Sequence, residues 1–284
     1  MKIKIILISA FILLCGMLKA QQEIQLYGKG GYSGLQYKSE QVAVKNKLSG
    51  GLGIGYTYFL NSKWGINTGL EVDFYSTDAE SDGLAGRYTE TYSDDTRTEE
   101  MYFNSSYTNY KETQHVTCLS IPIRIQYQLP VSETTTFYAV PGIKLGFAIS
   151  GKYDLAAAKL TTWGEFPETL QQFYNMPEHG FTAINNVSSS DDLSFGLNLA
   201  LSVETGLKWK LSDKLSLYTG LYIDYGLSDV SPGKKDVSLV NYNNNEPYKL
   251  KTNSLLTAKQ GEKAYVDKVN LLSAGVTVKL AFGI

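Results

Sequence analysis

Asp78-Ala-Glu80-Ser-Asp82-Gly83 sets a carboxylate at every second position and ends on glycine, which is how a calcium-binding loop opens. Its twelfth position would be Thr89, with Glu90 one step late, so the bidentate ligand that closes such a loop is missing. His115 and Cys118, three apart, have the wrong company for zinc: the chain holds only 2 His and 2 Cys. His179, within Met176-Pro-Glu-His-Gly180, has no nucleophile at a spacing that would make it a catalytic base. Gly28-Lys-Gly30-Gly31-Tyr-Ser-Gly34 resembles a phosphate loop only in composition, because no helical pattern follows it. No catalytic residue, cofactor or metal is therefore expected. What remains is a set of dispersed charges, Glu71, Asp73, Arg124, Lys144, Glu204 and Asp224, whose meaning depends on the elements that carry them.

Those elements are strands. Eight segments place apolar residues on alternate positions, the period of a β-strand. They begin with Ile24/Leu26/Tyr32 and Leu48/Leu52/Ile54/Tyr56/Tyr58/Leu60, then Trp64/Ile66/Leu70/Val72/Phe74 and Leu119/Ile121/Ile123/Ile125/Tyr127/Leu129. Phe137/Ile143/Leu145/Phe147/Ile149 follow, and then the longest run, Leu193 to Trp209, which includes Leu199 and Leu201. Leu215/Leu217/Leu221/Ile223/Tyr225 and Leu272/Val276/Val278/Leu280/Phe282 complete the set. All six dispersed charges fall on the opposite, polar faces, together with Lys208, Lys279 and glycines 51, 53 and 55.

Alternation does not reveal which face points inward. A soluble sheet or a lipocalin-like barrel binding an apolar ligand would bury the apolar face. A transmembrane barrel turns it toward lipid and keeps the polar face inside. Three features favour the second arrangement. The polar face balances acids and bases, which suits a closed interior held by ion pairs. Aromatics cap the apolar stripes: Trp64 and Phe74, Phe137 and Phe147, with Trp209, Tyr225 and Phe282 also in girdle positions. Ten residues of tilted strand rise roughly 25 Å, the height of the apolar band. Connections also alternate in length: Asn61-Ser62-Lys63, Pro130 to Thr134 and Leu211 to Lys214 are short, whereas 77–113, 152–192 and 229–265 are long. Short periplasmic turns and long external loops follow outer-membrane topology. Pro122 and Pro141 interrupt two strands and are expected at bulges or near an interface. Arg87 to Glu100 has two polar faces and could pair as a hairpin around Asp94-Asp95 above the bilayer, and Glu168 to Tyr174 is expected as a short surface helix after Pro167. Tyr88, Tyr92, Tyr102, Phe103, Tyr107 and Tyr110, then Trp163, Phe166, Phe173 and Tyr174, crowd two long connections. They suit either contact with a partner or packing of loop on loop.

Residues 1–20 read as a cleaved secretory signal: Lys2 and Lys4, an apolar run from Ile5 to Leu14, then Ala20 before Gln21. That leaves 21–284 as one barrel domain with Cys118 as its only cysteine, so no internal disulfide is expected. With 26 Lys+Arg against 28 Asp+Glu, the chain lacks the basic excess that nucleic-acid binding needs.

Leu119-Ser-Ile-Pro122-Ile-Arg-Ile-Gln-Tyr127, Tyr138-Ala-Val-Pro-Gly142-Ile-Lys-Leu-Gly146 and Gly220-Leu-Tyr-Ile-Asp-Tyr-Gly226-Leu resemble the small outer-membrane β-barrel domain family, which includes PorT-like proteins and shares its architecture with the OmpX and OmpA barrels. The resemblance implies an all-β fold, an eight-stranded antiparallel up-and-down transmembrane barrel with three long extracellular loops. It also implies an outer-membrane location in a Gram-negative cell and assembly by the barrel-assembly machinery. That machinery generally reads a terminal aromatic; here Phe282 precedes Gly283-Ile284. No activity follows from it.

The expected lumen network is Glu71, Asp73, Arg124, Lys144, Glu204 and Asp224. The expected lipid face includes Ile66, Leu70, Ile121, Ile123, Ile125, Leu199, Leu201, Leu221, Ile223, Val276 and Val278. The expected role is structural or contact-making, through the loops at 77–113, 152–192 and 229–265 toward an extracellular protein or surface ligand, with no enzyme activity and no open pore. The alternatives are an accessory part in protein secretion, as the PorT likeness suggests, or a soluble periplasmic barrel.

Overall fold

The structure, a computed structural model, describes residues 21–93, 98–233, 236–243 and 250–284. The segment read as a signal peptide and the Asp94-Asp95 turn lie outside the described residues. The long strands are β1 (Gln22–Gln36), β2 (Ala43–Phe59), β3 (Trp64–Ser93), β4 (Thr98–Pro130), β5 (Thr135–Phe166), β7 (Ala183–Asp192), β8 (Asn198–Lys210), β9 (Leu215–Gly226) and β14 (Asn270–Gly283). Short ones are β6 (Gln171–Phe173), β10 (Val240–Tyr242), β11 (Leu250–Thr252), β12 (Lys259–Gln260) and β13 (Lys263–Ala264). β1, β2, β3, β4, β5, β8, β9 and β14 form a closed antiparallel ring: β14 pairs back onto β1, and β4 pairs with β5. Closure removes sheet edges, so the ring strands pair with a neighbour on both sides.

The apolar faces of the ring point outward. Ile123 is 49% exposed and Val276 56%, whereas Lys144 and Glu204 are 0% and 1% exposed. A barrel with an apolar core would show the reverse. Trp64, Phe74, Phe137, Phe147, Trp209, Tyr225 and Phe282 are likewise exposed on the outer wall. One side chain shows why β2 carries glycines on its inner face. A Cβ on Gly53 would lie 2.5 Å from the Tyr27 ring, so only glycine lets that tyrosine cross the lumen.

β3, β4 and β5 do not stop at the top of the ring. They are 30, 33 and 32 residues long, and β7 continues the sheet beside the upper part of β5. The connections at 77–113 and 152–192 are thus largely sheet rather than loop, because their cross-strand pairing runs on to Ser93–Thr98. β8, β9, β14 and β1 end low, at Asn198, Gly226, Asn270 and Gln36. A tall wall therefore rises over one side of the ring. The described residues between 227 and 269 fold against its inner face, bringing Leu239, Leu255, Leu256 and Val266 onto Leu84, Phe103, Tyr107, Tyr110 and Leu155. Just below the polar-faced hairpin expected at 87–100, Leu84, Met101 and Phe103 form an apolar inner face, while none of the hairpin's own described side chains is buried.

Other expectations change for local reasons. Strand β8 begins at Asn198, not Leu193; Leu193 turns inward, 7% exposed, and its N–H donates to the Gly151 carbonyl. Pro122 and Pro141 sit in unbroken register, and the bulges fall instead between Asn46 and Gly51 and at Thr117/Cys118. At the second bulge β5 carries the extra residue, so Ile149 and Ser150 both face out and its inward face changes parity. Glu168 to Tyr174 forms no helix: a tight turn places Leu170 at φ 52°, and β6 pairs back onto β5. A second change of parity crosses the extension. Asp82, Asn109, Ala158 and Asn186 stand opposite one another and interrupt the ladders of four strands, with Asn109 and Asn186 at φ 53°. Asparagine tolerates that left-handed conformation. This crease turns both Tyr107 and Tyr110 inward although they are three residues apart.

Candidate functional site: a charged lumen beneath an apolar extension

Seven of the eight ring strands supply charge to the lumen. Glu71 and Asp73 come from β3, Arg124 from β4, Lys144 from β5, Glu204 and Lys208 from β8, and Asp224 from β9. Lys279 comes from β14, and β1 adds Glu23 and Lys29. Glu71 lies at the centre. It accepts from the Tyr27 hydroxyl at 2.8 Å, from Lys29 Nζ at 2.6 Å, from Lys144 Nζ at 2.6 Å and from Arg124. Asp73 meets Lys29 at 2.8 Å and Lys144 at 3.2 Å; Asp224 meets the same two lysines. Glu204 takes Lys279 at 2.7 Å, Arg124 at 3.4 Å and the Tyr138 hydroxyl at 2.9 Å. Glu23 pairs with Lys208 and accepts from the Tyr218 hydroxyl at 2.6 Å.

Five acids thus face five bases, and each carboxylate has a cation. This is the arrangement a low-dielectric interior tolerates, since an unpaired buried ion costs several kcal/mol (roughly 3–5). Glu71, Asp73 and Asp224 bring oxygens within 4.8 Å of one another, a spacing a cation could use. The ammonium groups of Lys29 and Lys144 already lie among them and Arg124 pairs with Glu71, so three cations offset the three carboxylates. The structure gathers all six dispersed charges of the sequence into one network. Sequence reasoning missed Glu23 and Lys29. Lys29 was hidden in a glycine run, although Glu23, Gln25, Lys29 and Ser33 share one parity that betrays an inward polar face.

Above the ring the chemistry reverses. Among the described residues there, a single acid, Glu112, is buried without a cation and is 0% exposed. Its carboxylate accepts from the Tyr110 hydroxyl at 2.6 Å, Gln114 Nε2 at 2.7 Å, the Ser254 hydroxyl at 2.7 Å and the Leu255 N–H at 2.9 Å. Burial pushes this carboxyl above the usual glutamate range, although the four donors oppose the shift. The last two bonds clamp the strap around residues 253–258 onto β4.

On the outer wall of the extension, Asp78 and Glu80 are extended strand within β3, not a loop. Lys45 meets Glu80 at 2.6 Å, and Lys111 meets Asp78 at 2.8 Å and Glu80 at 3.0 Å. Burial alone would raise Asp78, but Lys111, Thr113 and Lys47 outweigh it and hold the carboxyl low; Lys45 and Lys111 do the same to Glu80. Paired with lysines along a straight strand, these acids do not converge on a calcium ion. Cys118 is buried, while His115 is exposed on the opposite face, 4.0 Å from Asp154. His179 closes a 3-10 turn (Pro177–His179) beside Phe181. The crowded aromatics pack mainly on one another: Tyr88 stacks on Phe103, Tyr107 meets Tyr110 edge-on, and Trp163 stacks on Tyr174.

Residues 7–257 match the family described as outer membrane protein beta-barrel domain. Among solved structures, Neisserial surface protein A is 10% identical, with 93% of this chain and 99% of that one covered and a TM-score of 0.35. The attachment invasion locus protein Ail of Yersinia pestis is 9% identical over 93% and 97%, with a TM-score of 0.28. OprG of Pseudomonas aeruginosa is 13% identical over 93% and 94%, with a TM-score of 0.34. No curated protein matches the chain. A closed eight-stranded ring, apolar outside and ionic within, together with the family match over most of its length, makes this chain a member of the outer membrane protein β-barrel domain family, at home in the outer membrane of a Gram-negative cell.

Proposed function

We propose that this is a non-enzymatic barrel with a closed lumen, which anchors a rigid extension at the cell surface and makes contacts there. The carrying observation is the filled interior: five acid–base pairs and the Tyr27, Tyr138 and Tyr218 side chains occupy the ring, and the strap at 253–258 lies over it. Side chains fill an eight-stranded barrel of this kind, so it is not an aqueous channel. The outward band containing Ile66, Leu70, Ile121, Ile125, Leu199, Leu201, Leu221, Ile223 and Val278 meets acyl chains, and the aromatics at its edges sit at the two interfaces. With three short turns on one side, the tall extension faces the exterior. Its inner surface is occupied by its own chain, so contact falls to its outer walls and tip.

Planar-bilayer recording of the purified barrel tests the closed lumen: no stepwise conductance is expected, and stable open-channel currents would refute it. Protease added to intact cells should cut within the extension; full protection there would reverse the orientation.

A further inference from the structure

The tall wall ends sideways in an open strand edge. Among the described residues, β7 pairs with β5 alone. The Leu193 N–H donates to the Gly151 carbonyl, so in the antiparallel register that continues from there Asp191, Ser189 and Val187 bond to β5. Ser188 and Ser190 alternate with them and turn their backbone N–H and C=O groups toward the open side. Two features bound this stretch. Above it Asn186 leaves the extended conformation at φ 53°, and below it the Asp192 N–H is already held by the Asp191 carboxylate at 2.9 Å. From Val187 to Ser190 the edge carries no proline and no charge, two of the devices that discourage a further strand.

The space beside that edge has a definite chemistry. A groove of about 780 Å³ runs between β7 and the β10–β11 hairpin. Val187, Ser189 and Asp191 stand opposite the buried Ala157, Leu155 and Tyr153 of β5 and so face the inner side of the wall. Side chains of an added strand at those levels would point the same way, into the groove. Its upper β7 wall is apolar, with Ile184 opposite Leu160 and then Val187, and the hairpin adds Leu250. Its lower end is acidic: Asp154, Asp191 and Asp192 outnumber Lys152 and Lys251. A second copy of the chain is a poor occupant. In one membrane it stands the same way up, so its β7 would run parallel and set Asp191 and Asp192 level with their own kind. We infer that the β7 edge takes up an extended segment of another exterior polypeptide as an antiparallel strand, with a basic residue opposite Asp191 and an apolar one opposite Val187. In the order of the incoming chain the basic residue comes first and the apolar one four positions later. This deepens the surface-contact reading and rests on the extension facing the exterior.

The test is peptide binding to the full barrel in lipid nanodiscs, read by fluorescence polarisation. The probe is a short acetylated threonine peptide with arginine and leucine four positions apart, arginine first. It should bind in the micromolar to low-millimolar range, and exchanging the two residues should weaken it about threefold or more. Methylating the backbone amides that face β7 removes donors without touching the protein, and should weaken binding about tenfold or more. Ser190→Pro should do the same, since proline deletes an edge N–H and spares the ladder to β5. Heat-dependent gel mobility reports whether that variant folds; where it does not, the methylated peptide decides. Asp191→Asn should weaken the probe and flatten its salt dependence. Gln41→Ala, in a separate cleft, should leave binding unchanged. Hydrogen exchange in the complex should slow at Ser188 and Ser190 and stay as it was at Ser189, which β5 already holds. Absence of binding, indifference to methylation, tighter binding of the exchanged order, an equal loss in Gln41→Ala, or unchanged exchange at Ser188 and Ser190 overturns the inference. Cleavage of the extension on intact cells without peptide binding overturns the edge site alone, whereas protection of the extension overturns the exterior reading beneath it.

Discussion

The same three strands, β3, β4 and β5, build two regions with opposite chemistry. Within the ring their inward side chains are Glu71, Asp73, Arg124 and Lys144 and their outward ones Leu70, Ile123 and Ile143; within the extension the inward ones are Leu84, Tyr107 and Leu155 and the outward ones Lys111, Lys152 and Asp154. The inversion sets in above Phe74, Leu119 and Phe147. Backbone pairing carries on across that level on both sides of the bulge at Thr117/Cys118, so hydrogen bonding does not distinguish the two regions. The surroundings do. Where lipid covers the outside, apolar residues gain nothing by turning in, and polar groups must satisfy one another inside. Where water covers it, burial of apolar area again drives the interior, at roughly 25 cal/mol per Å². The two regions also solve charge burial differently, ten ions paired in the ring against one carboxylate held by four neutral donors in the extension.

This contrast can be broken at several points. The largest effect is expected from Arg124→Leu, which strips Glu71 and Glu204 of a shared partner and should cost about 3–5 kcal/mol, read from urea unfolding in lipid vesicles. A fold as stable as the parent would mean that water reaches the lumen. Next door, Ile123→Arg should cost about 2–4 kcal/mol in the same assay, because it pushes a cation into the acyl chains. Glu112→Gln should loosen the strap by about 1–3 kcal/mol, since the amide keeps one acceptor oxygen and turns an NH2 toward one donor pair, either Tyr110 and Leu255 at Oε2 or Gln114 and Ser254 at Oε1. Faster hydrogen exchange at Leu255 would show it.

The pH response sharpens the comparison further. Burial raises the Glu112 carboxyl in the folded protein, so the native state holds that proton more tightly than the unfolded chain. The extension should therefore gain stability as pH falls through the raised value, and stop gaining near the ordinary glutamate value of about 4.3. Asp78 and Glu80 act oppositely: their lysine partners hold them low, so their support is present above the ordinary carboxylate range and is lost as pH falls below it. Exchange at Leu255, corrected for its intrinsic pH dependence, should pass through a minimum in mild acid, and Glu112→Gln should abolish the slowing. The smallest effect belongs to Ala156→Arg, an outward position on β5 in the extension. It should move stability by less than about 0.5 kcal/mol, where the same change in the ring is severe. A large loss there would place the extension in lipid.

The alternation of residue classes along the chain determined the eight strands, their two faces and the short turns between them. A side chain's parity is local, and the segregation of every ring charge to one face is visible without coordinates. Pairing across the sheet decided the rest. Lys29 meets Asp224 although 195 positions separate them, and no local pattern could join them. Nor could it show that 77–113 and 152–192 rise as sheet, because their polar outer face and apolar inner face trade parity at the crease through Asn109 and at the bulge in β5. Only the assembled wall, with the described residues between 227 and 269 folded against it, gave Tyr107, Tyr110 and Leu155 something apolar to bury against, and gave Glu112 the Ser254 and Leu255 donors that complete its four.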